Sequence, residues 1–183
     1  MTTEILTKKY TIEEFLALPD DGNRYELVDG ELIQMAGARE EHSRISNLIG
    51  FHITGFVLAN KLGTVYNSEA RYAIVPDSDT VRLPDASFVS VDRVTRGVRT
   101  MQFAPDLAVE VLSDSNTYGE IERKVKEYLG SGGSLVWVIN VDEKEVYIYR
   151  AGSLNRQTLT ENDELDGEQV LPGFKLSVAK LFE

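Results

Sequence analysis

The sequence predicts an α/β (α+β) fold, a mixed central sheet flanked by helices, from three observations. An Asp29-Gly30 pair joins two short strand-like runs, the strongest short-range hairpin signal. A long apolar stripe at helical spacing follows it. Further on, an apolar run at 106–112, a capped helical segment at 117–130 and a second apolar run at 134–140 have the order of a crossover between neighbouring parallel strands.

The elements follow in order. Residues 1–9 read as a flexible leader and 10–183 as a single domain. Thr11, with Glu14 three residues on, has the form of a capping box opening a short helix that ends at Leu18-Pro19. Residues 25–28 and 31–35 are the strands of the added N-terminal hairpin. Ile45, Leu48, Ile49, His52, Ile53, Phe56 and Val57 lie on one face of a helix running from near Arg39 to near Gly63, which makes His52 a core histidine. Strands are expected at 65–66, 71–75 and 86–91, with a loop tip at 77–79 and a polar, helix-compatible excursion at 91–97. Leu107 to Leu112 is apolar apart from Glu110, as in a strand covered on both faces. After 113–117, Thr117 and Glu120 form a second capping box, and Gly130 to Gly133 ends the helix. Strands at 135–139 and 145–150 pair across a turn. Segment 157–160, an acidic loop, strand 174–178 and a short helix complete the chain.

Composition narrows the chemistry. The 183 residues carry 30 acidic and 19 basic side chains, a net charge of −11. That field opposes avid, non-specific binding to nucleic acid but leaves room for a local groove. With no cysteine and two histidines, disulfides, thiolate zinc sites, cysteine nucleophiles and multi-histidine metal sites within one chain are excluded. No apolar run approaches the roughly 18 residues of a membrane span, and Met1 to Tyr10 lacks the apolar stretch of a signal peptide. The expected compartment is the cytoplasm, with no membrane partner.

Three residues stand out. Glu110 interrupts a covered apolar strand, where an unpaired carboxylate costs several kcal/mol; it either meets a cation or faces a solvated strand end. Asp85 opens an apolar strand after Pro84 and is either a turn residue or a ligand. Lys124 lies about 40° from Tyr128 at about 100° per residue, on the flank of the helical stripe, either solvated or reaching the sheet edge. Taken together, two carboxylates on neighbouring strands can hold Mg²⁺ with water in its remaining positions, and a lysine beside them can orient a water nucleophile. Arg93, Arg96 and Arg99 with Thr95 and Thr100 form either a solvated loop or a phosphate-contacting edge. Ser113 and Ser115 lack a nucleophile-elbow pattern.

In order along the chain come Tyr25-Glu26-Leu27-Val28-Asp29-Gly30-Glu31-Leu32, His42 at a helix start, Leu83-Pro84-Asp85, Pro105 to Ser113, Lys124-x-x-x-Tyr128, Val136-Trp137-Val138 and Leu171-Pro172-Gly173-Phe174. The sequence in this respect resembles a large bacterial family of restriction-endonuclease-like proteins, a domain of unknown function within the PD-(D/E)XK nuclease superfamily, over roughly Tyr10 to Phe182. The resemblance implies a restriction-endonuclease-like core, a Mg²⁺ (or Mn²⁺)-dependent nuclease or hydrolase acting on DNA, and a homodimer. It implies that Asp85 and Glu110 are the motif acids and metal ligands, with the Val111 carbonyl as an extra ligand. The superfamily places its lysine two residues after the second acid, where this chain has Leu112; Lys124 on the following helix takes that role. Glu26 matches an auxiliary metal-ligating acid, and His42 a recurrent histidine with no assigned role. The alternative is a catalytically silent nuclease fold acting as a binding or regulatory dimer, which the acidic charge favours. A glycosidase-like carboxylate pair is disfavoured by the single Trp.

Overall fold

A computed structural model describes residues 8–35, 37, 39–74, 78–113, 117–153 and 155–183. Of the expected leader, residues 1–7 lie outside this set, while Lys9 is tied down by the Asp29 carbonyl (2.8 Å) and the Glu31 carboxylate (2.9 Å). The first helix, α1 (Ile12–Leu16), has the complete capping box of Thr11 and Glu14 and ends just before Leu18-Pro19. Strands β1 (Tyr25–Val28) and β2 (Glu31–Gln34) pair antiparallel with Val28 opposite Glu31. Asp29 (φ +49°) and Gly30 (φ +79°) both adopt the left-handed conformation that a two-residue turn of this hand requires.

Helix α2 (Glu40–Asn60) buries Ile45, Ile49, Ile53 and Val57, one per turn. Because these positions step by four, residues three along fall on the rim of the stripe. His52 is accordingly half-buried, its ring edge-on to Phe51, which corrects its reading as a core histidine. Strand β3 (Gly63–Asn67) runs against a later strand so closely that a Cβ on Gly63 would meet the Val89 carbonyl oxygen at 2.1 Å. Strand β4 (Tyr72–Ala73) is shorter than the expected 71–75, and Val75 to Asp77, including part of the expected loop tip, lies outside the described residues. Strand β5 (Val81–Arg82) has no counterpart in the sequence reading.

Strand β6 (Ala86–Ser90) gives way to turns and irregular chain over 91–97 instead of a helix. Arg93 is drawn to Asp106 and the Ala104 carbonyl, and Gly97 takes φ +74°, two features that break helical continuity. Strand β7 (Leu107–Val111) is buried along its whole length, as expected. Residues 114–116 lie outside the described set. Helix α3 (Tyr118–Gly130) starts at the predicted Thr117 cap. Strands β8 (Leu135–Asn140), β9 (Glu145–Arg150) and β10 (Gln157–Leu159) follow. The acidic segment supplies β11 (Glu164–Asp166), which pairs with β12 (Lys175–Ser177) before α4 (Ala179–Phe182).

Among the described residues, the main sheet runs β10-β9-β8-β7-β6-β3 and a smaller one runs β2-β1-β5-β4. In the main sheet β7 and β8 are parallel, joined by α3 as the predicted crossover, and the other neighbours are antiparallel. One face of the sheet packs Leu107, Val109, Val111, Trp137 and Ile139 under α2. The other packs Ala108, Val136 and Val138 against Ile121, Val125 and Tyr128 of α3. No described helix is long and apolar enough to cross a membrane.

Candidate active site

Sheet register decides what meets at the end of β7. Strands β6 and β7 pair antiparallel with Ala86 opposite Val109, so the next step brings Asp85 alongside Glu110. The Asp85 Oδ2 atom accepts the Val111 N–H at 2.8 Å, which fastens the acid to the carboxyl end of β7. Alternation along β7 points Glu110 to the α3 face, into an otherwise apolar layer.

Glu110 is only 5 % exposed and Lys124 8 %, so each must find partners inside the protein. Lys124 Nζ lies 3.0 Å from Glu110 Oε2 and 3.0 Å from Glu26 Oε1. The Tyr128 hydroxyl donates to the other Glu110 oxygen at 2.8 Å. Glu26 in turn accepts the Leu83 N–H at 3.1 Å and pairs with Arg82 at 2.8 Å. Arg82 reaches Glu127 at 2.6 Å, and Arg123 links Glu127 to Asp29 at 2.7 Å each. A chain of alternating charge thus runs from the sheet to the surface. On the far side of Asp85, His42 Nε2 stands 3.3 Å from Oδ2.

The electrostatics follow from burial and neighbours. Burial opposes the Lys124 ammonium, but Glu110 and Glu26 outweigh it and raise its pKa, so the lysine stays charged. Burial pushes the Glu110 carboxyl up to about 7; Lys124 opposes this, while the Asp85 and Glu26 charges add to it. Burial also works against the Glu26 carboxylate, yet Lys124, Arg82 and the Leu83 N–H together hold it below the ordinary range. The Asp85 hydrogen bond raises the His42 pKa against the opposing effect of burial.

Asp85, Glu110, Glu26, Lys124 and His42 all line one cleft of about 550 Å³ between the small sheet, β7 and α3. Among the described residues no group of three or more Asp, Glu or His side chains is arranged to cage a metal by itself. A cation here would rest on Asp85, Glu110 and backbone oxygen, with water completing the shell, an arrangement Mg²⁺ tolerates well. The charge balance allows such an ion. Nearest that point Asp85, Glu110 and Glu26 face Lys124 and Arg82, one negative charge in excess before His42 is counted, so the surroundings do not oppose a cation.

Of the residues picked out in the sequence, Glu26, Lys124 and Glu110 are in direct contact, with Asp85 and His42 adjoining. Lys124 is buried rather than flanking. Ser113 lines the same cleft, and Ser115 lies outside the described residues. His52 takes no part in the cleft. Arg82, Glu127 and the Tyr128 hydroxyl were not singled out. Arg82 carried the same signal as Glu110, a charge inside an apolar run, Val81-Arg82-Leu83.

Comparison with known proteins bears on this geometry. The model of the Uma2 family, described as "Putative restriction endonuclease", matches residues 12–179. No curated protein matches the chain. Among solved structures, that of a "putative nuclease belonging to DUF820" from Anabaena variabilis ATCC 29413 superposes with a TM-score of 0.84, at 24% identity over 94% of this chain and 97% of that one. The expected fold class is borne out by this likeness.

Proposed function

The chain belongs to the Uma2 family of putative restriction endonucleases, and from that premise we propose that its cleft hydrolyses phosphodiester bonds of DNA, with Mg²⁺ or Mn²⁺ held by Asp85, Glu110 and the Val111 carbonyl. The observation that carries this reading is the meeting of two strand-end acids with a buried, charged lysine in one cleft. When bound, the cation polarises a phosphoryl oxygen and makes a bound water more acidic. The protein's own groups do the rest. Lys124, held as an ammonium, donates to the attacking water or to the charge building on phosphate, and does not act as a base. Glu26 meets three donors, Arg82, the Leu83 N–H and Lys124, against two on Glu110, so in this reading it orients Lys124 instead of ligating metal. Tyr128 fixes the rotamer of Glu110, and His42 that of Asp85. The same reading takes residues 10–183 as a single cytoplasmic domain working as a homodimer.

A second reading, the silent binding or regulatory dimer, draws on one observation: Lys124 and Tyr128 already occupy both Glu110 oxygens. Cleavage assays on plasmid and oligonucleotide DNA with Mg²⁺ or Mn²⁺, at high protein and low salt, separate the two. The nuclease reading expects metal-dependent cleavage that falls by about 10²-fold or more in Asp85→Ala and Lys124→Ala. Absence of cleavage by the wild-type chain favours the silent dimer.

A further inference from the structure

The cleft does not stop at Asp85. A groove of about 500 Å³ between α2 and β3, lined by Ser46, Asn47, Gly50 and Asn67, shares Asp85 with it. Across β3, the outermost strand of its sheet, that groove shares Tyr66 with a third hollow of about 450 Å³. Arg71, Arg96 and Arg99 line this hollow. The register gives the spacing: Asn67 is opposite Ala86, beside Asp85, and Thr64 in the hollow is opposite Val89. Three residues of strand cover roughly 10 Å, the reach of two or three nucleotides.

These arginines differ from most others in the chain. Arg24, Arg82, Arg93, Arg123 and Arg150 each pair with a carboxylate, as expected where acids outnumber bases 30 to 19. Among the described residues, Arg71, Arg96 and Arg99 have no carboxylate partner. Arg99 donates to the Leu16 carbonyl at 2.8 Å, Arg71 lies 5.8 Å from the Phe15 ring centroid, and Arg96 makes no hydrogen bond or ion pair among the described residues. The one carboxylate lining the hollow, Glu69, is held by Arg24 at 3.1 Å. Three unneutralised guanidinium groups around one concavity, in a chain of net charge −11, form a site for phosphate, which the planar guanidinium can grip with two parallel hydrogen bonds. The uncharged Ser and Asn side chains of the connecting groove can bond sugar and phosphate oxygens without repelling them.

We infer that the hollow of Arg71, Arg96 and Arg99 binds backbone phosphates of the nucleic-acid strand that occupies the Asp85–Glu110 cleft, anchoring it a few nucleotides from the bond to be cut. The inference rests on the nuclease reading, and its test separates the two. Fluorescence anisotropy of labelled single-stranded and duplex DNA is measured on the full chain in Ca²⁺, from about 25 to about 200 mM salt. Arg96→Ala/Arg99→Ala is expected to weaken binding 10-fold or more at low salt. It should also flatten the slope of log K against log salt by about 1.4 on single strands or about 1.8 on duplex. Arg96→Ala alone, which removes no internal contact, should give half that change even if the double variant folds poorly. An unchanged slope in both variants overturns the anchor, and so does failure of the wild-type chain to bind either DNA. Binding with the expected slope changes, but without cleavage in Mg²⁺ or Mn²⁺, upholds the anchor and overturns the nuclease reading alone.

Discussion

The two faces of β7 are buried to the same depth and held by different physics. Toward α2 it presents Leu107, Val109 and Val111, which pack in an apolar cluster with Ile45, Ile49, Ile53 and, on the neighbouring strand, Trp137 and Ile139. Toward α3 it presents Ala108 and Glu110, and the space there is shared by apolar side chains, one lysine and three buried phenols, of which Tyr128 bonds Glu110. The apolar face gains by removing area from water, at about 25 cal/mol per Å², whichever neighbour does the covering. The polar face gains only while every buried charge keeps its partner. One face can therefore be eroded residue by residue, whereas the other fails or holds as a set.

The sharpest way to break this contrast is to truncate one large residue on each side. Trp137 stacks on Phe174 at 5.8 Å and is fully buried, and Trp137→Ala is expected to cost about 3–5 kcal/mol. Lys124→Ala leaves two buried carboxylates facing each other and should cost about the same. Urea melts followed by circular dichroism give both numbers. The contrast lies in the rescue. Replacing the set, Glu110→Leu with Lys124→Met and Tyr128→Phe, makes the α3 face resemble the α2 face, while Glu26 keeps Arg82 and the Leu83 N–H. It is expected to recover most of the stability that Lys124→Ala loses, with cleavage abolished. Beside Trp137 no such exchange of partners is available, and stability returns only as far as a larger neighbour refills the volume.

Smaller changes sharpen the same point. Tyr128→Phe keeps the shape of the α3 layer and removes one donor to Glu110, so it should cost about 1–3 kcal/mol of stability, read from urea melts. Tyr72, also on the α3 face, is fully buried and bonds Ser87 at 2.7 Å; burial raises its pKa well above 10. Its neutral form is the one the fold accepts. The stability it contributes is complete below the unfolded pKa near 10 and falls by about 1.4 kcal/mol for each pH unit above that, until the folded phenol itself ionises. Burial raises Tyr128 and Tyr147 as well, so melts above pH 10 should show the summed loss, and Tyr72→Phe should flatten the slope by about 1.4 kcal/mol per pH unit.

What the sequence disclosed follows from how local each signal is. The Asp29-Gly30 hairpin and both capping boxes are closed by atoms within a few residues, and all three were legible. The β7–α3–β8 crossover was legible because each piece is long and strongly patterned. Strands β5 and β11 were not, because each is two or three residues long, too short to carry an alternation, and is defined by its pairing, β5 with β1 and β4 and β11 with β12. Glu110 could be picked out because a carboxylate in an apolar run is conspicuous, and Asp85 because it follows Pro84 at the start of a strand, whereas Glu26 came only with the family resemblance. The burial of Lys124 could not, since a helical wheel shows the side a lysine leaves from and not the depth to which two distant acids draw it. Arg82 went unremarked because the short strand that carries it was itself not anticipated.

The claim on which the functional account rests is that Asp85 and Glu110 share one divalent cation. Calorimetric titration of Mn²⁺ into the full chain, beside Asp85→Ala and Glu110→Gln, tests it without any substrate. The account predicts one equivalent bound by the wild-type chain, and a loss of that binding by about 10-fold or more in each variant. Equal binding by all three proteins, or none by the wild type, would contradict it.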